Sequence, residues 1–156
     1  MAPKLKLKTK EELNSLLLFL DIAEKKIFKK GVMDMSKFEE KWGHYPWFDQ
    51  VQGIIGHTAS GGYDEKLPAI EEINNWARGL EQVKLIMPFQ PSQKFIDDVY
   101  AAIEPSEPLG FILDVVVDKK IASGGRLFHK GRYIDLTLKS RIGDLFNKED
   151  DIGKYL

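Results

Sequence analysis

The chain has 156 residues and a mass of 17.8 kDa, which is enough for one domain or two small ones. Hydrophobic residues make up 43% and charged residues 30%, so the composition is that of a globular protein rather than a disordered one. The 23 basic and 24 acidic side chains nearly balance, which argues against a dedicated nucleic-acid binder. The lack of cysteine in this chain excludes disulfides, Cys-ligated zinc and thiol nucleophiles.

Targeting and membrane signals do not stand out in the sequence. No apolar run approaches the roughly 20 residues of a transmembrane helix. The basic stretch Met1–Lys10 lacks the apolar core of a secretory peptide. Met1–Lys8, in which Lys alternates with Leu, is predicted to be a short edge strand or a frayed arm, and its terminal position favours the arm. These features predict a soluble intracellular protein.

The first half of the chain predicts helices. Thr9–Glu12 has the spacing of a capping box, and the apolar residues after it recur at steps of three and four, which predicts a helix to about Lys30. Ser36 begins a second, short helix, and Trp47–Ile55 predicts a third. A fourth helix begins near Asp64, with its apolar stripe formed by Ile70, Ile73, Trp76, Ala77 and Leu80 and with Pro68 in its first turn.

The pattern changes near Gln82 to strands and one further helix. Val83–Met87 predicts a strand, and Ser92 caps a helix that carries its apolar residues at helical spacing. Phe111–Val117 is almost continuously apolar, which is typical of a central strand buried on both faces. The strand, helix and strand are expected to form a parallel unit.

A β-hairpin is predicted next, with strands Arg126–His129 and Arg132–Leu136 joined by Lys130-Gly131. A two-residue turn pairs His129 with Arg132, Phe128 with Tyr133, Leu127 with Ile134, and Arg126 with Asp135. This register predicts an aromatic pair beside an Arg126–Asp135 ion pair on one face of the sheet.

The predicted fold class is therefore α+β. Residues 1–80 are expected to form a helical unit, and residues 81–156 a small β-α-β-β-α domain. The last helix of that domain would be a closing helix that carries Leu138, Ile142 and Leu145 over the sheet.

Residues with catalytic potential are scattered. His44, His57 and His129 lack the spacing of a helical metal pair, and Gly56–Gly62 lacks the ending of a phosphate-binding loop. Asp114 interrupts an apolar strand, either as a buried acid or, more commonly, as a hydrogen-bonded structural residue. We therefore predict no catalytic residue, no bound cofactor and no metal site.

The order of several short motifs in the second half is more informative than any one of them. Pro91-Ser92 precedes a helix, an apolar strand ends in Val117-Asp118, and Gly124-Gly125 precedes the hairpin, whose second strand ends in Ile134-Asp135. The stretch from Val83 to Leu145 thereby resembles the C-terminal region of the delta subunit of F-type ATP synthases, the counterpart of the mitochondrial subunit that confers oligomycin sensitivity. In that family the preceding domain is a six-helix bundle, which is longer than the helical part here.

This resemblance implies a mechanical role. A delta-like chain is a non-catalytic stator subunit that links the catalytic head to the peripheral stalk during proton-driven ATP synthesis. The implied partners are the b subunit of the stalk and the alpha subunits of the head, with no nucleic acid. The implied location is cytoplasmic, peripheral on the inner face of the cell membrane, with membrane contact only indirect through the complex.

The closing helix and the hairpin are the predicted docking surface for an amphipathic stalk helix. That surface consists of Phe128, Tyr133, Leu138, Ile142 and Leu145. The same residues would be core in a plain globular domain.

Two other functions remain open from the residues alone. A small enzyme would need His57, His129 or Asp114 to converge in one pocket. A small α+β RNA-binding module would use Phe128 and Tyr133 with nearby basic residues as a stacking platform.

Overall fold

A computed structural model of the chain describes residues 5–30, 36–57, 63–107, 110–121 and 124–135. Those residues form two compact units, one from the described residues of Met1–Leu7 and Glu11–Gly79, the other from those of Lys8–Lys10 and Leu80–Leu156. None of the described helices combines the length and apolarity that a membrane span requires. The elements in chain order are α1 Lys10–Lys30, α2 Ser36–Trp42, α3 Phe48–His57, α4 Tyr63–Arg78, β1 Glu81–Met87, α5 Gln93–Ile103, a 3-10 turn Glu104–Ser106, β2 Phe111–Val117, β3 Arg126–His129 and β4 Arg132–Asp135.

The helices of the first unit follow the sequence prediction closely. The predicted α+β class with an N-terminal helical region is confirmed. One difference lies in α4, which begins at Tyr63, so Pro68 lies inside the helix and not in its first turn. The proline side chain is exposed, which keeps its ring away from the packed face of the helix.

An aromatic cluster forms the core of the first unit. Phe19 of α1 is fully buried and lies at 5.2 Å from Phe38, 5.6 Å from Trp42, 5.4 Å from Trp47 and 5.9 Å from Phe48, measured between ring centroids. All four of these pairs meet edge to face or at a tilt, the arrangement that the ring quadrupoles favour. Phe19 is therefore the residue on which the packing of this unit converges.

Residues 5–9 before α1 are ordered, and the prediction of a frayed arm is wrong for residues 5–8. Leu5 and Leu7 are buried, and the Lys6 N–H donates a hydrogen bond of 2.9 Å to Gln50 Oε1. Alternation of Lys with Leu thus serves to bury two leucines while the intervening Lys6 stays exposed.

A mixed four-stranded sheet organises the second unit, in the order β2-β1-β3-β4. The predicted parallel pairing of β1 with β2 is confirmed, and β3 runs antiparallel to both β1 and β4. The prediction that Phe111–Val117 is the central strand is wrong, because among the described strands β1 lies between two others and β2 pairs with β1 alone. Only Phe111, Ile112 and Leu113 of β2 are buried, and the rest of the strand is half-buried or exposed. An apolar run in the sequence therefore does not require a central place in the sheet.

Helix α5 covers one face of this sheet. Ser92 Oγ accepts a hydrogen bond of 3.2 Å from the Phe95 N–H, as the predicted cap requires. The buried core combines one face of α5 with one face of the strands and consists of Val83, Leu85, Met87, Ile96, Val99, Ile103, Phe111, Leu113 and Leu127.

Residues 8–10 line the outer edge of β2. The Leu113 N–H donates to the Lys8 carbonyl at 2.7 Å, and Thr9 forms a parallel bridge with Leu113. Lys8 Nζ lies 2.7 Å from Asp97 Oδ1, and Lys10 Nζ lies 2.9 Å from Asp114 Oδ2. We call residues 8–10 the edge segment; it shields part of a strand edge whose backbone groups would otherwise invite pairing with another chain.

Substitution of Phe19 by alanine tests the aromatic core. We expect a loss of about 3–5 kcal/mol in the free energy of unfolding, because the change removes a fully buried ring and leaves a cavity. Denaturant unfolding followed by tryptophan fluorescence measures it, since all three tryptophans belong to the first unit. Phe28→Ala is the matched control, because Phe28 is 73% exposed. Equal losses in the two variants would contradict the assigned core.

A second substitution tests the edge segment. Hydrogen bonds from Lys8 and then Gln93 hold the pKa of Asp97 below its ordinary value of 3.8. In Lys8→Ala we expect that pKa to rise toward 3.8, measured from the carboxyl carbon shift of Asp97 by NMR. The pair's contribution to stability is present above pH 3.8 and is lost as the pH falls through the lowered pKa. Lys94→Ala, which removes the exposed partner of Asp98, should leave Asp97 unchanged.

Candidate functional site

The hairpin turn sets the geometry of the candidate site. Lys130 and Gly131 both adopt left-handed backbone conformations, with φ of 49° and 75°. Two consecutive residues with positive φ form the type of tight turn whose twist matches that of paired strands. The predicted register is confirmed at all four pairs, from Arg126 with Asp135 to His129 with Arg132.

Phe128 and Tyr133 form an exposed aromatic pair on one face of the sheet. Their ring centroids lie 5.0 Å apart with the planes at 55°, and the residues are 39% and 38% exposed. Residues paired across neighbouring strands share a face, so Lys84, the partner of Phe128 on β1, projects from this face as well. We call the part of this face that carries Phe128, Tyr133 and Lys84 the open face; it lies on the side of the sheet opposite α5, where Ile112 of β2 is by contrast buried.

Two cations accompany the aromatic pair on the open face. Lys84 is exposed beside Phe128, and exposed Arg126, two residues along β3, shares the face with Phe128. Within the described residues neither cation makes an ion pair, and the side chain of Asp135, to which the sequence analysis assigned Arg126, lies outside them. The open face therefore offers apolar rings flanked by positive charge.

A buried polar cluster occupies the turn end of the same hairpin. Glu107, which follows the 3-10 turn, is only 8% exposed. Lys130 Nζ donates to both of its carboxylate oxygens, at 2.7 Å to Oε1 and 3.0 Å to Oε2. His129 Nε2 lies 2.9 Å from Oε1, and this imidazole is 12% exposed. We call these three side chains the turn cluster.

The contact of His129 with Glu107 is close, but its angles are not those of a hydrogen bond. Among the described residues the buried Nε2 atom has no hydrogen-bond partner. Burial of the imidazole lowers the pKa of His129 below 6.5, and the nearby carboxylate of Glu107 opposes this only in part. The lowered pKa favours the neutral imidazole, so Lys130 is the charged partner of Glu107.

Other residues singled out in the sequence lie apart from these groups or outside the described residues. Asp114 is held by Lys10, which supports the structural interpretation of that carboxylate. The side chain of His57 lies outside the described residues, as do Leu138, Ile142 and Leu145 with the predicted closing helix. In the described ranges, no group of three His, Asp or Glu residues is arranged to hold a metal ion.

Glu107 is the member of this region that sequence reasoning missed. It stands in the run Glu104-Pro105-Ser106-Glu107, which indicates only the end of a helix. Its backbone N–H donates to the Glu104 carbonyl at 3.2 Å, and its own carbonyl accepts from the Gly110 N–H at 3.0 Å. These two turn hydrogen bonds hold Glu107 in place, so that its carboxylate meets Lys130, which is 23 positions later in the chain.

No protein-family model matches the chain, and no curated protein matches it significantly. The function is therefore argued from the chemistry and geometry of the residues themselves. The open face and the turn cluster, which meet in one hairpin, are the described features with the clearest functional content.

Alanine at two glycine positions tests the turn. Gly131→Ala should cost about 1–2 kcal/mol, because a residue with a Cβ is strained at positive φ. Nothing lies within 4 Å of the added Cβ, so the cost comes from the backbone conformation and not from a clash. Gly53→Ala, equally uncrowded but inside α3, should instead stabilise by about 0.5–1 kcal/mol. Chemical denaturation measures the free energy of unfolding of both variants. We expect it to fall for Gly131→Ala and to rise for Gly53→Ala, and a rise in both would contradict the left-handed turn.

Proposed function

We propose that this chain is a non-catalytic stator subunit of an F-type ATP synthase, similar to the delta subunit, that links the catalytic head to the peripheral stalk. The observation that carries the proposal is the order β1–α5–β2–β3–β4, with the turn motifs of the resemblance at the corresponding positions. Each of these motifs has a structural role in the fold. Ser92 caps α5, Asp118 Oδ1 accepts from the Lys120 N–H at 3.0 Å after β2, and Gly124 has a φ of 72° before β3.

The open face supports a docking role for the hairpin. Half-exposed aromatic rings flanked by Lys84 and Arg126 suit a helix that presents an apolar ridge with carboxylates beside it. The affinity would come from covering Phe128 and Tyr133, since aromatic residues contribute most at such interfaces. The two cations would set the register of the partner through charge.

The construction of the sheet suits a subunit that resists torque. β1 pairs with β2 along its whole length and with β3 over Lys84–Ile86. On the other side of β2 the edge segment adds a backbone bond and an ion pair to β2 and a second ion pair to α5. Force applied along the hairpin would load several backbone hydrogen bonds together rather than one at a time. Under this proposal the protein reaches the membrane only through the assembled complex, performs no chemistry and takes no cofactor.

An RNA-binding role is the second candidate, because it would use the same rings. Two features favour the helix-binding role over it. The rings are inclined by 55° and do not form one continuous stacking platform, and Asp114 stands in the same cross-strand row as Lys84. The net charge of the chain is −1, whereas nucleic-acid-binding domains carry a clear excess of basic residues.

Binding of a stalk helix to the open face can be measured directly. The full-length chain is titrated by calorimetry with the soluble part of the b subunit encoded in the same genome. We expect Phe128→Ala and Tyr133→Ala each to weaken binding about 30-fold, which corresponds to roughly 2 kcal/mol for an aromatic anchor. Phe89→Ala is the matched control, since Phe89 is 60% exposed but lies in the loop after β1.

Three outcomes would overturn the proposal. One is an absence of b-subunit binding, and another is an equal loss of affinity in all three variants. The third is tight binding of single-stranded oligouridylate with a steep dependence on salt, which would favour the RNA-binding module instead.

A further inference from the structure

The turn cluster contains a contact that the proposed function does not use. Lys130 and His129 are adjacent in the chain and approach the same carboxylate oxygen, Glu107 Oε1, at 2.7 and 2.9 Å. Lys130 already donates to Glu107, whereas the buried Nε2 of His129 has no hydrogen-bond partner among the described residues. The carboxylate of Glu107 thus accepts hydrogen bonds from Lys130, whereas His129 lies within contact distance of it and forms no hydrogen bond.

Protonation of His129 would change which partner Glu107 prefers. In the protonated imidazole both ring nitrogens are charged donors, so Nε2 becomes one 2.9 Å from Oε1, and a buried charge needs a hydrogen-bonded counterion. A small rotation of the carboxylate or of the imidazole completes that bond. Glu107 is 8% exposed and offers one carboxylate, so His129 and Lys130 compete for it once both are charged.

Lys130 is the cation that can leave. Its side chain is 54% exposed, so its ammonium can return to water at little cost, whereas the 12% exposed imidazole cannot. Its backbone is also in the left-handed region, at φ 49°, which is unfavourable for a residue with a Cβ and which the bond to Glu107 helps to offset. Release of Nζ therefore removes a restraint on the turn itself.

The other charges around His129 do not alter this direction. Glu81 at the start of β1 favours the protonated imidazole, as Glu107 does, while Arg132 on β4 and Lys130 in the turn oppose it. Once His129 is charged, its repulsion acts on Lys130 and Arg132, the two cations of the hairpin end. Repulsion from His129 and competition for Glu107 thus act together to displace Lys130.

We infer that the turn cluster is an acid-operated partner exchange, in which protonated His129 takes Glu107 from Lys130 and loosens the β3–β4 turn. Phe128 directly precedes His129 in β3, so the exchange alters the hairpin that carries the open face. The inference concerns the second unit alone and holds whether or not the chain is a stator subunit.

The sign of the pH effect follows from the burial of His129. Because its pKa in the folded protein lies below the ordinary value of 6.5, the exchange takes place below pH 6.5. The folded state then binds fewer protons than the unfolded state, so the contribution of His129 to stability is present above pH 6.5 and is lost as the pH falls through its lowered pKa.

An NMR titration of the full-length chain between pH 7.5 and 4.5 tests the inference. The ring protons of His129 report its protonation, and the backbone amides of Lys130 and Gly131 report the turn. We expect these amide shifts to follow the His129 midpoint. His44, which is exposed in the first unit, serves as the internal reference histidine, and His44→Gln assigns its signals.

Two variants separate exchange from simple proximity. In Lys130→Met the carboxylate has no second cation, so the pKa of His129 should rise and the amide response at residues 130 and 131 should shrink by more than half. In Glu107→Gln the amide response should disappear. If Glu107→Gln does not fold, Lys130→Met alone decides. Amides that stay still while His129 titrates, or that move equally in wild type and Lys130→Met, would overturn the inference.

Discussion

The two-residue turn at Lys130-Gly131 is the constraint on which the rest of the second unit depends. Side chains alternate between the faces of a strand, so a slip of one residue would send every side chain of the hairpin to the other face. The left-handed pair fixes one register, with Phe128 opposite Tyr133 and Leu127 opposite Ile134. Leu127 thereby reaches the core beneath α5, while both aromatic rings remain on the open face.

Ion pairs contribute unequally to this fold, and their burial decides the difference. The i,i+4 pairs Asp21–Lys25 and Lys94–Asp98 are largely exposed, so each contributes only about 0.3–0.5 kcal/mol. Lys8–Asp97 and Lys10–Asp114 are partly shielded and act beside a backbone hydrogen bond, so their main effect is to hold the edge segment in place. Glu107 differs in kind, because an unpartnered buried carboxylate is costly and its choice of cation therefore matters.

The proposed stator role and the turn cluster place different demands on one hairpin. A docking surface benefits from a rigid backbone beneath its aromatic anchors, because ordering side chains and loops on binding lowers the affinity. The carboxylate shared by His129 and Lys130 makes the end of that same hairpin responsive to proton concentration. Rigidity therefore comes from the strand pairing and responsiveness from the turn, two parts of the hairpin with different chemistry.

Local patterns in the sequence were sufficient for the helices and strands of the described residues and for the hairpin register. Helical spacing in α1, the Ser92 cap and the Lys130-Gly131 turn depend on residues a few positions apart, and the register followed by counting. The place of β2 at the outer side of the sheet, the ordering of residues 5–9 and the capture of Lys130 by Glu107 depend on segments distant in the chain. Periodicity reports that a side chain is buried but not what buries it, so only the tertiary structure decided which strand is central and which carboxylate meets which cation.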